Sequence, residues 1–514
     1  MPVEARAGDP SVEKQNRRTC GIVPPENSHA TASAFGQVNL SALGRAAQPH
    51  RNEGLANKIE CVRQKKRQNS LLWGDPVLGR SRVVVTSVMR RGPILPEIRT
   101  MNLATIFLVM SLLGLMLSAL TYFRVRLAGA LLIPTFVIGW IRGELVLWTL
   151  VIEGAVTLGF VSGGALEANA GKAGLVLCLF SWTLLGLAHR RGMNAANELS
   201  AALAPIGLAF DRDVSALHGF PNPFAFNHPD VERIHNIEYG KSLPGDQGGR
   251  NLLDIVRPKD AAAGDRRPVL LQVHGGAWMI GDKREQGRPL MRELASRGWV
   301  CVAINYRLSP KATMPDHIVD VKRSIAWIRE QIASYGGDPD FICITGGSAG
   351  GHLSSLAALT ANDPRFQPGF ESVDTTLAAC VPFYGVFDFL DRAGDRALGD
   401  MISSVGPGVF KSKPEDAPEL WDSVCSLMRV SEDAPPFFVI QGSHDSLVMA
   451  EEAVTFVKAL EEKSNQPVLH AELLGAQHAF EIFQSPRTEA SVRAVTAFVE
   501  NVRAESEAKR SASA

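Results

Sequence analysis

The stretch from Ile342 to His352, which reads ICITGGSAGGH, constrains the fold of this chain more than any other. A β-branched apolar run ends at two glycines, and Ser348, Ala349 and two further glycines lead into a helical pattern. The G-x-S-x-G spacing predicts a strand-to-helix turn so tight that the neighbours of the serine must be small. Such a turn lifts the serine hydroxyl out of the sheet, and the following helix points free N–H groups at the same place. Ser348 is therefore the candidate nucleophile.

A second glycine turn follows the apolar run that ends at His274. Acyl transfer forms a tetrahedral oxyanion that needs N–H donors, and glycine lets the backbone come close enough to supply them. We expect a three-donor oxyanion hole formed by the N–H groups of Gly275, Gly276 and Ala349. His274 is expected to brace this loop rather than to act as a base. Trp278 is either a wall of the substrate pocket or a packing residue, and the sequence leaves both roles open.

When the nucleophilic serine lies on such a turn, the acid and the base come later in the chain, first an Asp or Glu and then a His. Asp445 and His478 each come just past the end of a strand pattern, where open α/β sheets place their sites. We expect Asp445 to orient the imidazole, and His478 to take the proton of Ser348 and return it to the leaving group. The alternatives are another acid, Asp388, or another base: His352, His444 or His470.

Strand and helix patterns alternate over residues 231–505, which predicts a mostly parallel sheet with helices on both faces. Eight strands are expected, at Val231–Tyr239, Leu252–Arg257, Val269–His274, Val300–Asn305, Phe341–Thr345, Leu377–Tyr384, Phe437–Gln441 and Val468–Leu474. The main helical patterns are Ile318–Tyr335, Gly351–Thr360, Ala450–Lys463 and Thr488–Arg503. We interpret residues 231–505 as one catalytic domain.

Residues 101–190 form an apolar block that we interpret as transmembrane helices. Leu103–Phe123 carries no charge, and 21 residues at 1.5 Å each are about 31 Å long, close to the thickness of a bilayer core. Leu127–Ile141, Leu145–Gly164 and Ala173–Ala188 are further candidates. We expect three or four spans in a multi-pass protein of the cytoplasmic membrane, with the side that the catalytic domain faces left open.

Two acidic residues, Glu144 and Glu153, lie within this block. Acids inside a membrane are costly and often functional, so a transport or proton-relay role is one hypothesis. Pairing with Arg142, or placement at the membrane interface, is the interpretation that we favour.

The remaining segments flank these two parts. Residues 1–100 are expected to be a disordered polar and basic segment, 191–230 a linker, and 506–514 a disordered tail. A chain beginning near residue 195 is expected to fold and to keep its kcat, because the catalytic domain has a core of its own. The 53 Lys and Arg balance the 53 Asp and Glu, which argues against a nucleic-acid partner. We expect no metal or organic cofactor, and the oligomeric state stays open.

Five motifs carry a family resemblance: HGGAW at 274–278, NYRLSP at 305–310, GGSAGGHL at 346–353, GSHDSLV at 442–448 and AQHAF at 476–480. Together they resemble the α/β-hydrolase superfamily. They are more similar to its hormone-sensitive-lipase-like esterases, and closer still to actinobacterial membrane-anchored carboxylesterases of the Lip type. The resemblance covers about residues 195–505. It implies an α/β-hydrolase fold and a serine carboxylesterase or lipase that acts on short-to-medium acyl esters of small molecules or lipids.

The motifs also depart from that family. Ala277 stands where a third glycine is usual, and Gly347 where an aspartate is common. The start HGGAW is similar to arylformamidases as well, so an amidase with the same triad is the main alternative. A catalytically silent binding module and a transporter with a fused domain are further alternatives. The presence of Ser348, Asp445 and His478 argues against the silent module.

Overall fold

One mixed sheet organises the residues described by this computed structural model, which are 102–124, 131–240, 249–394 and 401–513. Its strands are β1 Val231–Glu238, β2 Leu252–Pro258, β3 Arg267–Val273, β4 Val300–Ile304, β5 Gly337–Gly347, β6 Ala379–Phe383, β7 Phe437–Gly442 and β8 Val468–Leu473. Their order is β1-β2-β4-β3-β5-β6-β7-β8, with antiparallel pairing of β2 to β1 and β4 and parallel pairing elsewhere. The eight-stranded, mostly parallel sheet predicted from the sequence is confirmed. The segment 1–100, predicted to be disordered, lies outside the described residues.

The helices cover both faces of this sheet. Within the described residues they are α1 Leu103–Ala119, α2 Leu132–Glu144, α3 Val146–Ser162, α4 Asn169–Leu203, α5 Arg288–Ser296, α6 Asp316–Gln331, α7 Ala349–Leu359, α8 Met401–Val409, α9 Pro418–Ser423, α10 Ala450–Lys463 and α11 Pro486–Ser513. Alternate residues of one strand face opposite ways, so Leu271 packs with α6, α7 and α10, whereas Leu270 packs with α4, α5 and α11. This two-sided burial explains why the central strands are apolar throughout.

Two helices run further than the sequence indicates. Residues 191–203, expected to belong to a linker, continue α4, because Leu199 and Leu203 are buried in the core under the sheet. Residues 506–513, expected to be a disordered tail, continue α11. That extension carries an ion pair between Arg503 and Glu507, one turn apart, and a second between Arg510 and Asp338 at 2.9 Å.

The apolar block forms α1 to α4, and three or four spans are not supported. By length and composition, one helix of the described residues could cross a membrane: α4 with its short continuation, Asn169–Ile206. Helices α2 and α3 pass the same test only as one span, and they are bent by 95° with respect to each other. Helix α2 has only 13 residues, and its Phe136 and Trp140 pack against the core of the sheet domain. Apolar residues that serve a protein interface look the same in sequence as those that face lipid.

Both acids of this block have partners. Glu153 pairs with Arg142 at 2.5 Å and accepts a hydrogen bond from Trp182 Nε1 at 3.0 Å. Glu144 pairs with Arg487 of α11 and accepts from Ser485 Oγ at 2.8 Å. These contacts support pairing over the proton-relay hypothesis, and Glu144 pairs with the sheet domain rather than with Arg142.

The pair between Glu144 and Arg487 yields a stability prediction, because both side chains are almost fully buried. Glu144→Gln leaves a buried guanidinium uncompensated, and we expect it to lower the free energy of unfolding by about 3–5 kcal/mol. The control is Glu451→Gln, which removes the half-exposed partner of Arg124 and is expected to cost about 0–1 kcal/mol. Denaturant unfolding of the purified chain in detergent measures both. Equal losses in the two variants would contradict the prediction.

Candidate active site

Ser348 lies between β5 and α7 in the tight turn that the sequence predicts. Its backbone has φ 58° and ψ −122°, a strained conformation for a residue with a side chain. The turn is held from both sides, since Ser348 N–H donates to Phe383 O at 3.0 Å and His352 N–H donates to Ser348 O at 2.9 Å. A Cβ at Gly350 would clash with the carbonyl of Val273, so the neighbour of the turn must be glycine. Strain of this kind persists only where the surroundings enforce it.

Asp445 and His478 come together from the loops that follow β7 and β8. His478 Nδ1 lies 2.7 Å from Asp445 Oδ2, and Asp445 is fully buried. The other carboxylate oxygen accepts from the N–H groups of Leu447 and Val448, each at 2.8 Å. Gln441 Nε2 donates to Oδ2 at 3.1 Å. These donors fix the carboxylate, so Asp445 is able to hold the orientation of the His478 imidazole.

Tyr384, which follows β6, contacts both the serine turn and the histidine. Its ring centroid lies 4.5 Å from that of His478, and a Cβ at Gly347, next to Ser348, would lie 2.6 Å from the Tyr384 hydroxyl oxygen. The turn and the imidazole therefore share one neighbour. Among the described residues, Ser348 and His478 are not hydrogen-bonded to each other. Catalytic hydrogen bonds of this kind often form or shorten only when substrate binds.

Three N–H groups were expected to form the oxyanion hole, and one of them already donates a hydrogen bond to a side chain of the protein. Gly275 N–H donates to Gln286 Oε1 at 2.6 Å. The N–H groups of Gly276 and Ala349 donate to no acceptor within the described part of the chain. Gly276 has φ 115°, which a side chain would not tolerate. A Cβ at Gly275 would lie 3.1 Å from Ser348 Cβ, so the glycine loop lies against the serine turn.

His274 and Trp278 hold the two ends of this loop. His274 Nδ1 lies 2.7 Å from Gly275 O, and the imidazole stacks on Tyr306 with centroids 4.4 Å apart. Burial lowers the pKa of His274 to about 4, so it stays neutral, as a brace would. Trp278 is 1% exposed, donates from Nε1 to His352 Nδ1 at 3.2 Å and packs against Phe389. The structure thus places Trp278 in the interior.

Of the alternative acid and bases, Asp388, His352 and His444 have other partners, and His470 lies within a strand. Asp388 accepts from the backbone N–H groups of Leu390 and Arg392 and pairs with the Arg392 guanidinium at 2.6 Å. His352 is bonded to Val424 O and Trp278, His444 to Tyr122 O and Ser443, and His470 lies within β8. None of these four side chains is hydrogen-bonded to the side chain of Asp445 or His478 among the described hydrogen bonds.

Three further residues around the histidine, Gln477, Glu481 and Tyr384, are not among the candidates predicted from the sequence. Gln477 Oε1 accepts from Ser446 N–H at 2.7 Å and from His478 N–H at 2.9 Å, which ties the acid loop to the base loop. Glu481 accepts from the Tyr384 hydroxyl, and burial raises the pKa of Glu481 to about 7. Gln477 lies within the AQHAF motif, Glu481 directly follows it, and Tyr384 ends a predicted strand, so their positions in the sequence were the available signal.

Comparisons with known proteins relate this chain to carboxylic ester hydrolases. The family described as BD-FAE matches residues 253–460. The chain is 51% identical over 332 residues to the probable carboxylic ester hydrolase LipM of Mycobacterium tuberculosis, covering 63% of this chain and 77% of that protein. It is 38% identical over 304 residues to esterase LipC of the same organism, covering 56% and 74%. Among solved structures, esterase B from Lactobacillus rhamnosis is 23% identical with a TM-score of 0.46, covering 55% and 89%.

Two substitutions test which of the candidate carboxylates, Asp445 or Asp388, is the catalytic acid. Asp445→Asn removes the acceptor that orients His478, and we expect kcat on a short nitrophenyl ester to fall by about 10⁴-fold. Asp388→Asn changes a carboxylate that accepts from Leu390, Arg392 and Cys425 Sγ and is not among the described hydrogen-bond partners of His478, so kcat is expected to stay within about threefold of the parent value. The reverse order of the two effects would move the acid to the other loop.

Proposed function

Because this chain belongs to the α/β-hydrolase family that includes the mycobacterial Lip carboxylesterases, we propose that it hydrolyses carboxylic esters through an acyl-enzyme on Ser348. The observation that carries the proposal is the 2.7 Å contact between His478 and the buried Asp445, next to the strained serine turn. We assign the catalytic domain to residues 231–505. The proposed substrates are short-to-medium acyl esters of small molecules or lipids.

The proposed reaction follows from the protons that each group can hold. His478 takes the proton of Ser348 Oγ through Nε2 while Oγ attacks the ester carbonyl carbon. Asp445 keeps Nδ1 protonated and stabilises the imidazolium that forms. The tetrahedral intermediate then collapses, the C–O bond to the alcohol breaks, and His478 returns the proton to the leaving oxygen. Water repeats the same steps on the acyl-enzyme and releases the acid.

The oxyanion is proposed to bind to Gly276 N–H and Ala349 N–H, the two donors without an acceptor among the described residues. One such donor contributes about 2.7–4 kcal/mol to stabilisation of the transition state. Ala349 also begins α7, whose N-terminal end favours negative charge. Gly275 N–H joins this set only when it exchanges Gln286 Oε1 for the oxyanion. Of the two roles left open for Trp278, we propose packing, which fixes the end of the glycine loop.

We further propose that the apolar helices attach the enzyme to a membrane. Support comes from α4, which is long enough to cross, and from its exposed apolar side chains Val176, Leu179 and Phe180. Arg191 lies over the ring of Tyr122, with its guanidinium carbon 4.3 Å from the centroid. Basic and aromatic side chains at the end of an apolar stretch are typical of a membrane interface.

The first test is chemical labelling of Ser348. Ser348→Ala removes the nucleophile, and we expect turnover of a short nitrophenyl ester to fall by about 10⁴-fold or more with the fold unchanged. A fluorophosphonate probe is expected to label the parent chain and not the variant. Turnover of an aryl formamide by the parent, measured beside the ester, tests the amidase alternative. Labelling that survives in Ser348→Ala would refute the assignment of the nucleophile.

The second test concerns attachment. The full chain is expected to sediment with membranes and to resist carbonate extraction. Val176→Asp combined with Phe180→Asp places two charges on the exposed face of α4, each costing about 2.5–3.5 kcal/mol inside a bilayer, and should shift the chain to the soluble fraction. The control is Val454→Asp with Met428→Asp, at two exposed apolar positions of the catalytic domain. Carbonate release of the parent chain would refute attachment by a span.

A further inference from the structure

Helix α2 lies on the loop that carries His478, although the two are more than 300 residues apart in the chain. Trp140 Nε1 donates to the backbone carbonyl of Ala479 at 2.9 Å, across 339 residues of sequence. The ring of Phe136, one turn earlier, meets the His478 imidazole edge-on with centroids 6.1 Å apart. A helix of the apolar block therefore contacts both the backbone and the ring of the proposed base.

Contacts on either side hold α2 in this position. Trp140 stacks on Phe483 at 4.6 Å and on Phe136 at 5.7 Å between centroids. At the end of the helix, Glu144 forms the buried ion pair with Arg487 and accepts from Ser485 Oγ. The partners Phe483, Ser485 and Arg487 all follow His478 closely in the chain, so α2 is fixed to the same segment of the fold at several points.

Helix α2 adds two contacts to those that the histidine loop makes within the catalytic domain. Ala479 has φ 61°, the left-handed region that an alanine rarely adopts. Its carbonyl accepts from Trp140 Nε1 at 2.9 Å and, at the longer distance of 3.3 Å, from the N–H of Ile482. The imidazole of His478 is bonded at Nδ1 to Asp445 and contacts Tyr384, with Phe136 at its edge. Without α2, the carbonyl and one side of the ring would lose these contacts. A displacement of about 1 Å at a reacting group can cost about 10²-fold in rate.

We propose that Trp140 and Phe136 are positioning residues for His478, so that α2 completes the active site rather than only attaching it. This inference rests on the proposed function of His478 as the base. It also changes the expectation drawn from the sequence for a chain beginning near residue 195. Such a chain lacks Phe136 and Trp140, and we now expect its kcat to be lower than that of the full chain.

The test uses full-length variants in which a smaller apolar side chain replaces the original one. Trp140→Phe retains an aromatic ring but removes the Nε1 donor, and Phe136→Leu removes the ring edge. For each we expect kcat on a short nitrophenyl ester to fall about tenfold, with KM within about twofold of the parent value. The control is Ile133→Ala, at an exposed position of the same helix, which is expected to leave both constants unchanged.

A double-mutant cycle separates positioning from general packing. If Trp140 acts through His478, Trp140→Phe should not lower the residual rate of His478→Ala any further, because residues that act as a unit are non-additive. Single-turnover measurements with excess enzyme give these slow rates, and Ser348→Ala supplies the background. A melting curve for each variant identifies any that does not fold, in which case the other of the two carries the test.

The outcomes are distinct. A tenfold loss in the parent and no loss in the His478→Ala background supports the inference. Retention of kcat by both Trp140→Phe and Phe136→Leu refutes it, and so does an equal loss in the two backgrounds. If His478→Ala itself keeps its turnover, the proposed function fails instead, because its loss is expected to be about 10⁴-fold or more.

Discussion

The hydrogen bond between Asp445 Oδ2 and His478 Nδ1 depends on the whole arrangement of the sheet. Strands β7 and β8 are parallel neighbours, so the loops after them leave the sheet at the same edge and bring a carboxylate to an imidazole. The register places Gly442 opposite Leu473, only a few residues before each of the two side chains. A shift of that register by one residue would turn the side chains to opposite faces. The two-sided core fixes the register and, with it, the 2.7 Å contact.

Much of the site is set by backbone geometry rather than by side-chain chemistry. Ser348 occupies a strained conformation that strand β5, helix α7 and the carbonyl of Phe383 enforce together. The glycine loop approaches the serine turn because neither has bulk at the contact. Residues that carry no functional group therefore decide where the hydroxyl and the N–H donors lie. Substitution of a neighbouring glycine disturbs the site as directly as substitution of a catalytic side chain would.

The sequence predicts those parts of the molecule that depend on local patterns. The serine turn, all eight strands and the loop positions of Asp445 and His478 follow from period, glycine spacing and chain order. The role of α2 does not, because the contact of Trp140 with Ala479 joins residues 339 positions apart. Composition also misleads there, since Phe136 and Trp140 are apolar whether they face lipid or a loop. The hydrogen bond from Gly275 to Gln286 could not be predicted for a similar reason, because no sequence pattern identifies Gln286 as the partner of Gly275.

The separation of Trp140 from Ala479 has a consequence for biosynthesis. A ribosome adds about 5–20 residues per second, so roughly 17–70 s pass between the synthesis of these two residues. During that interval the aromatic side of α2 has emerged while its partner loop does not yet exist. Helix α4 emerges early in the same interval, so under the proposed attachment it would tether the nascent chain before His478, the proposed base, has been made. Delivery to the membrane would then precede the first turnover, and an untethered, active enzyme would not arise during translation.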